Sequence, residues 1–232
     1  PELSMLLSYS KIWLSGKLIE TDIAEDPFLG GELIRYFPQP VQRRYPRAIL
    51  RHQLRREIIV TATTNSLVNR MGPVFAIRTQ EDTGADVGRI ARAFAIGREI
   101  TGMRELWADI EKLDDQVPTS LQYDMAHETT RLLRHLTYWV LRNLGRNLDI
   151  ERAVKRLRPG IQELMSTLPD VIGGLEVERY DRALQRFTVA GVPASVARRV
   201  ASLGAIHSSV DIVEVALARR APIGLAGRIY FA

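Results

Sequence analysis

Arg35, Arg43, Arg44, Arg47, Arg51, Arg55 and Arg56, with His52, lie in a stretch from Glu32 to Glu57 that holds no acid between its ends. Tyr36, Phe37 and Tyr45 are interleaved with them. Cations that can meet phosphates, beside rings that can stack on bases, make the composition of a nucleic-acid or polyanion-binding surface. A solvated face, or a face that meets an acidic neighbouring domain, has the same composition. A net charge of only +5 and the lack of a recognisable nucleic-acid motif favour that plainer reading. The candidate basic surface comprises Arg43, Arg44, Arg47, Arg51 and Arg55.

A second candidate follows directly. Ile58 to Asn69 carries no charged residue, yet Thr61, Asn65 and Asn69 recur at i, i+4 and i+8, with Arg70 next. On a helix this draws one polar stripe, and a helix with no charged face is normally buried on most sides. Buried amides and hydroxyls left without partners cost about 1–3 kcal/mol each. Thr61, Asn65, Asn69 and Arg70 are therefore expected to form a buried polar seam between helices, or an interface for a neighbouring domain. Truncating either asparagine to alanine should then destabilise the chain.

Other chemistries find little support. Gly30-Gly31, Gly173-Gly174 and Gly224 to Gly227 match neither a dinucleotide-binding fingerprint nor a P-loop, and read better as helix ends. His52, His127, His135 and His207 are scattered, and His127-Glu128-Thr129-Thr130-Arg131 lacks the second histidine of a zinc-protease helix. Glu81-Asp82 and Asp114-Asp115 are adjacent pairs, which do not face each other on a helix, and both flank turns. No serine occupies a nucleophile elbow. No catalytic, cofactor-binding or metal-binding residue is assigned.

These candidates must be positioned by helices, because the hydrophobic period is helical almost throughout and breaks at glycine and proline. The first helix should cover about Glu2 to Ile19, with Leu3, Leu6, Leu7, Ile12 and Trp13 in the core. After a linker at Thr21-Asp22, a short helix should run from about Pro27 to Tyr36. Pro38, Pro40 and Pro46 then force a kinked, loop-rich connection. The polar stripe lies on a helix from about Ala48 or Leu54 to Met71, closed by Gly72 and Pro73. Ile58 to Thr63 and Val74 to Thr79 are β-branched enough for strands, but a lone hairpin buried among helices would be marginal, so helix is expected. Later helices should run from about Asp86 to Ile96, Thr101 to Leu113, Pro118 to Asn143, Asp149 to Leu168, Asp170 or Gly174 to Val189, Pro193 to Leu203 and, last, Ala205 to Ala218. In the clearest of them Leu121, Met125, Leu132, Leu136 and Trp139 recur at helical spacing. The fold class is all-α, an irregular multi-helix bundle without a nucleotide-binding sheet, forming one module over residues 1–232 with a soft boundary near 115–118.

At 232 residues and 46% hydrophobic, the chain can bury a full core. It has no cysteine, which excludes disulfides and thiolate metal sites and is compatible with a reducing cytoplasm. No apolar run approaches the ~20 residues that span a bilayer, so no membrane partner is expected. A start without methionine and the apolar ending Ile229-Tyr230-Phe231-Ala232 suggest a piece trimmed at both ends. Of the 32 basic residues only Lys11, Lys17, Lys112 and Lys155 are lysine, the rest being arginine. That bias suits forked bridges between helices or domains, or simply reflects a GC-rich genome.

Several segments carry a family resemblance. Pro1-Glu2-Leu3 with Tyr9-Ser10-Lys11, Tyr36-Phe37-Pro38, Leu54 to Ile59, Leu67 to Gly72 and Gln80-Glu81-Asp82-Thr83-Gly84 resemble, in order and spacing, the C-terminal region of the large bacterial NAD-specific glutamate dehydrogenases. Arg104 to Trp107, Leu141-Arg142-Asn143, Gly191-Val192-Pro193, Ala197 to Ala201 and Asp211 to Glu214 continue the likeness across nearly the whole chain. The resemblance implies a parent enzyme that deaminates L-glutamate to 2-oxoglutarate and ammonia and passes hydride to NAD, as a cytoplasmic homo-oligomer. It also implies that the catalytic lysine and aspartate and the nucleotide-binding motif lie upstream of Pro1, so no cofactor is expected on this fragment. Its expected partners are its own catalytic domain and other subunits. Many relatives carry aspartate where Ser66 stands, which weakens any claim that position 66 anchors an ion pair here.

Overall fold

A computed structural model describes residues 2–232. Among them there are fourteen α-helices, three short 3-10 turns and no strand, so the chain is all-α. The helices are α1 (Glu2–Leu18), α2 (Gly30–Tyr36), α3 (Gln39–Arg44), α4 (Pro46–Leu50), α5 (Arg55–Met71), α6 (Phe75–Thr83) and α7 (Val87–Ile100). They continue with α8 (Met103–Glu111), α9 (Thr119–Asn143), α10 (Ile150–Thr167), α11 (Gly174–Val189), α12 (Ala194–Ser202), α13 (Ser209–Arg219) and α14 (Ile223–Tyr230). The chain groups into two compact units. One extends to Ala95 and takes in Thr137–Glu151; the other comprises Ile96–Leu136 and Arg152–Ala232.

In the first unit α5 packs against α1, α2 and the 3-10 turn Ile23–Glu25. Its buried residues Ile59, Val60, Thr63, Thr64, Leu67, Val68 and Met71 follow the i, i+3, i+4, i+7 spacing of one helix face. Pro40 and Pro46 do not leave a loop. Each sits in the first turn of a short helix, α3 and α4, where its missing N–H has no intrahelical partner to lose. The buried face of α1 consists of Ser10, Leu14 and Leu18, whereas Leu3, Leu6 and Ile12 are exposed and Leu7 and Trp13 half-buried. The expected core residues were misplaced because α1 is apolar on both sides and its pattern marks no single inner face. From Val87 to Ala95, α7 is apolar nearly all round and almost wholly buried. Asp86 caps it, its Oδ1 accepting the Arg89 N–H at 2.9 Å.

In the second unit Leu121, Met125, Leu132 and Leu136 of α9 are all buried, as their spacing required. The indole N–H of Trp107 on α8 donates to Thr129 Oγ1 of α9 at 3.0 Å. Pro159 lies inside α10 on an exposed position, and Gly160 beside it lets the helix approach its neighbours. A Cβ at Gly160 would stand 2.9 Å from Val213 and 3.2 Å from Ile223. Gly224 sits in the first turn of α14, whereas Gly227 is not a helix end but lies inside that helix, which the periodicity did not predict. Gly227 is buried against Val171 and Leu164, leaving no room for a Cβ, so helix propensity is sacrificed to close packing.

Candidate functional site

The polar stripe of α5 faces outward. Thr61 and Asn69 are exposed, and Asn65 and Arg70 half-buried, so within this chain they do not form a buried seam. Uncharged Thr and Asn side chains are enough to wet a helix face; the absence of charge did not require burial. The hydroxyls that are buried belong to Thr63 and Thr64, on the opposite face, and neither has a hydrogen-bond partner.

The seven arginines of the basic stretch separate by role. Arg35 pairs with Glu32 at 3.4 Å. Arg55 and Arg56 each reach Glu25 at 3.0 Å and also donate to the carbonyls of Ala24 and Ile19, fastening the 3-10 turn onto α5. Arg43, Arg44, Arg47 and Arg51 on and beside α3 and α4 are exposed, without an ion pair among the described residues. Arg44 stacks over Tyr45, 5.4 Å from the ring centre. The basic surface is thus four cations beside the exposed rings of Tyr36 and Tyr45, and Arg55 belongs to the scaffold.

A cleft of about 1170 Å³ lies elsewhere in the first unit. Its walls bring Asp22, Asp26 and Asp86 together with Arg89, Arg92, Arg142 and Arg146, none of which the sequence pattern marked as a site residue. Arg92 is the centre of this arrangement. Its Nε donates to Asp26 at 3.0 Å and its Nη2 to Asp22 at 2.9 Å. Burial disfavours the guanidinium charge, but these two carboxylates more than offset it and hold the Arg92 pKa above its ordinary value. Arg89 donates to the carbonyl of Gly145 at 3.1 Å, closing the C-terminal end of α9 where a cation is favoured. Of these cations Arg92 is the one paired with carboxylates of the cleft, whereas Arg89 is engaged by backbone carbonyls and Arg142 stacks over the Tyr138 ring at 5.6 Å. An arginine at the solvated edge of an otherwise apolar helix was the one signal for Arg92; its partners are about 66 and 70 residues away in the chain and left no local pattern.

The second unit has a comparable cross-link. Arg98, only 2% exposed, and Arg104 both hold Glu99, at 2.9 and 2.8 Å. Burial opposes ionisation of Glu99, but the Arg98 and Arg104 charges outweigh it and keep its pKa below the ordinary 4.5. The imidazoles of His135 and His207 meet edge to face, with centres 5.3 Å apart. Asp115 adopts a left-handed turn with φ 59°, and in the first unit Asp82 accepts from the Tyr138 hydroxyl at 2.6 Å. Among the described residues no group of three or more His, Asp and Glu side chains could hold a metal ion, and no single helix is long and apolar enough to cross a membrane.

Residues 1–232 match the family described as glutamate dehydrogenase, C-terminal. The chain is 36% identical over 216 residues to an NAD-specific glutamate dehydrogenase of Halomonas elongata, covering 93% of this chain and 13% of that protein. It is 34% identical over 231 residues to one of Pseudomonas aeruginosa, covering 100% of this chain and 14% of that protein. A Mycobacterium tuberculosis protein of the same description is 27% identical over 213 residues, covering 92% and 13%. The chain thus spans only about a seventh of the length of these relatives. It belongs to the glutamate dehydrogenase C-terminal family.

Proposed function

We propose that this chain is the noncatalytic C-terminal module of an NAD-specific glutamate dehydrogenase, a cytoplasmic homo-oligomer that converts L-glutamate, NAD and water to 2-oxoglutarate, ammonia and NADH. The module serves assembly or regulation by packing against the catalytic region of its own polypeptide. The observation that carries this reading is α1. Met5, Tyr9 and Ile12 are 55–68% exposed, although Leu14 and Leu18 on the other side of the same helix are fully buried. A helix apolar on opposite sides is made to be covered twice, and most of the relatives' length lies outside the matched region. The outward stripe Thr61, Asn65, Asn69 and Arg70 on α5 is a second surface for such contacts.

The test is Tyr9→Glu with Ile12→Glu in the intact protein. Both side chains point away from the packed face of α1, so helicity is retained while docking fails, seen as faster hydrogen exchange in α1 and lower glutamate-dependent NAD reduction. Unaltered exchange and turnover refute the reading, and so does NAD reduction by the 232-residue chain alone. Loss of oligomer mass with full turnover per chain assigns the surface to a second subunit instead.

A second reading, a nucleic-acid or polyanion-binding module, draws on the unpaired Arg43, Arg44, Arg47 and Arg51. Only four of the seven cations are available to it, which suits an acidic protein surface better than a nucleic-acid track. An electrophoretic shift of DNA that vanishes on charge reversal of these four would reverse that preference.

A further inference from the structure

We propose that a cavity in the second unit, walled by α10, α11, α12 and the turn before α8, binds a small organic anion bearing a carboxylate or phosphate. The cavity measures about 600 Å³, room enough for a metabolite-sized ligand. Arg158, Arg198 and Arg199 line it, and Glu105 is the one carboxylate among its walls.

The three arginines are not equivalent. Arg199 is fixed in place, with Nη1 on Asp109 at 3.2 Å and Nη2 on the carbonyl of Gly102 at 3.0 Å. The guanidinium groups of Arg158 and Arg198 have no hydrogen-bond or ion-pair partner among the described residues. This contrasts with Arg92, Arg98 and Arg104, each of which holds a carboxylate. Free guanidinium forks that converge on a cavity match the two oxygens of a carboxylate or phosphate. Tyr180, 7% exposed, adds a hydroxyl with no partner of its own. Burial raises its pKa despite the charge of Arg198, so at neutral pH it stays a hydrogen-bond donor. Met165 supplies an apolar wall, which suits an organic anion better than a bare ion. The residues come from positions 101 to 202, which is why no sequence motif announces them. The inference stands apart from the docking role of α1 and α5, because it uses neither surface.

The test is hydrogen–deuterium exchange on the intact protein, titrated with succinate and separately with glycerol 3-phosphate at constant ionic strength. The expected result is saturable protection of segments 158–169 and 193–202 by at least one probe, which also tells carboxylate from phosphate. Arg158→Gln and Arg198→Gln should each raise the midpoint about tenfold or more. Arg219→Gln, an exposed arginine outside the cavity, should leave it unchanged. Lack of saturable protection by both probes, protection that survives both cavity variants, or equal weakening by Arg219→Gln would each overturn the proposal. Binding at a distant catalytic site would protect other segments and is thereby told apart.

Discussion

Replacing Glu99 by glutamine should lower stability far more than its single lost charge suggests. Glu99 accepts from the Arg98 Nε at 2.9 Å and the Arg104 Nε at 2.8 Å, and the three side chains are 14%, 2% and 27% exposed respectively. The pair joins the end of α7 to the start of α8 across Gly102, whose φ of +64° only glycine adopts without strain. Glutamine keeps the shape and one acceptor oxygen, but it removes the Glu99 charge that faces the buried Arg98 guanidinium. Removing one partner of a buried pair costs about 3–5 kcal/mol, and the remaining acceptor places Glu99→Gln near 3 kcal/mol. For a chain of this length that is a fall in melting temperature of roughly 6–12 °C, read by circular dichroism. Adding Arg98→Met should restore part of the loss, because the penalty resides in the buried charge that Glu99 balanced rather than in missing contact area. The pH dependence has a fixed sign. The folded pKa of Glu99 lies below 4.5, so its contribution is present above that pH and is lost as pH falls through the folded value. The gap between the native chain and Glu99→Gln should therefore be full at neutral pH and close in acid. A shift under roughly 2 °C, or a gap that does not narrow as the pH is taken progressively below 4.5, would refute the reasoning.

Four further substitutions test the packing. Asn69→Ala should change stability by less than about 0.5 kcal/mol, while Thr64→Val, which removes a buried hydroxyl with no partner, should leave the urea midpoint unchanged or raise it. Gly227→Ala should lower that midpoint by the equivalent of about 1–3 kcal/mol, since its methyl would press into Val171 and Leu164. Gly16→Ala, in open space on α1, should stabilise by about 0.5–1 kcal/mol.

The helices were legible wherever periodicity and punctuation agreed. Leu121, Met125, Leu132 and Leu136 found the buried face of α9, and Gly72 the end of α5. Interior and exterior were legible only where a helix had one apolar side. On α1 both sides qualify, so Ile12 reads as core although it faces outward. On α5 Thr and Asn read as a buried stripe because no charge marked them as wet, and α14 was lost because two glycines hid its period. The last case is physical as well as statistical: Gly227 is what lets α14 lie against Val171, so the residue that obscures the helix in the sequence is the one that seats it.

The arginines show why the candidate surfaces escaped a local reading. Composition reports their number but not their engagement. Arg55, Arg56, Arg92, Arg98 and Arg104 each hold a carboxylate, most of them far away in the chain, and are consumed in joining elements. A guanidinium kept dry needs such a partner, whereas one left without a partner is stabilised only by water or by something that arrives. The basic run of seven therefore overstates its surface: three of its members are structural and four face outward. The cavity understates itself, because Arg158 and Arg198 stand 40 residues apart in a chain rich in arginine and become neighbours only when α10 and α12 fold together. Position in a basic run is a weak guide to binding here; the missing counter-charge is the stronger one, and it can be read only from the fold.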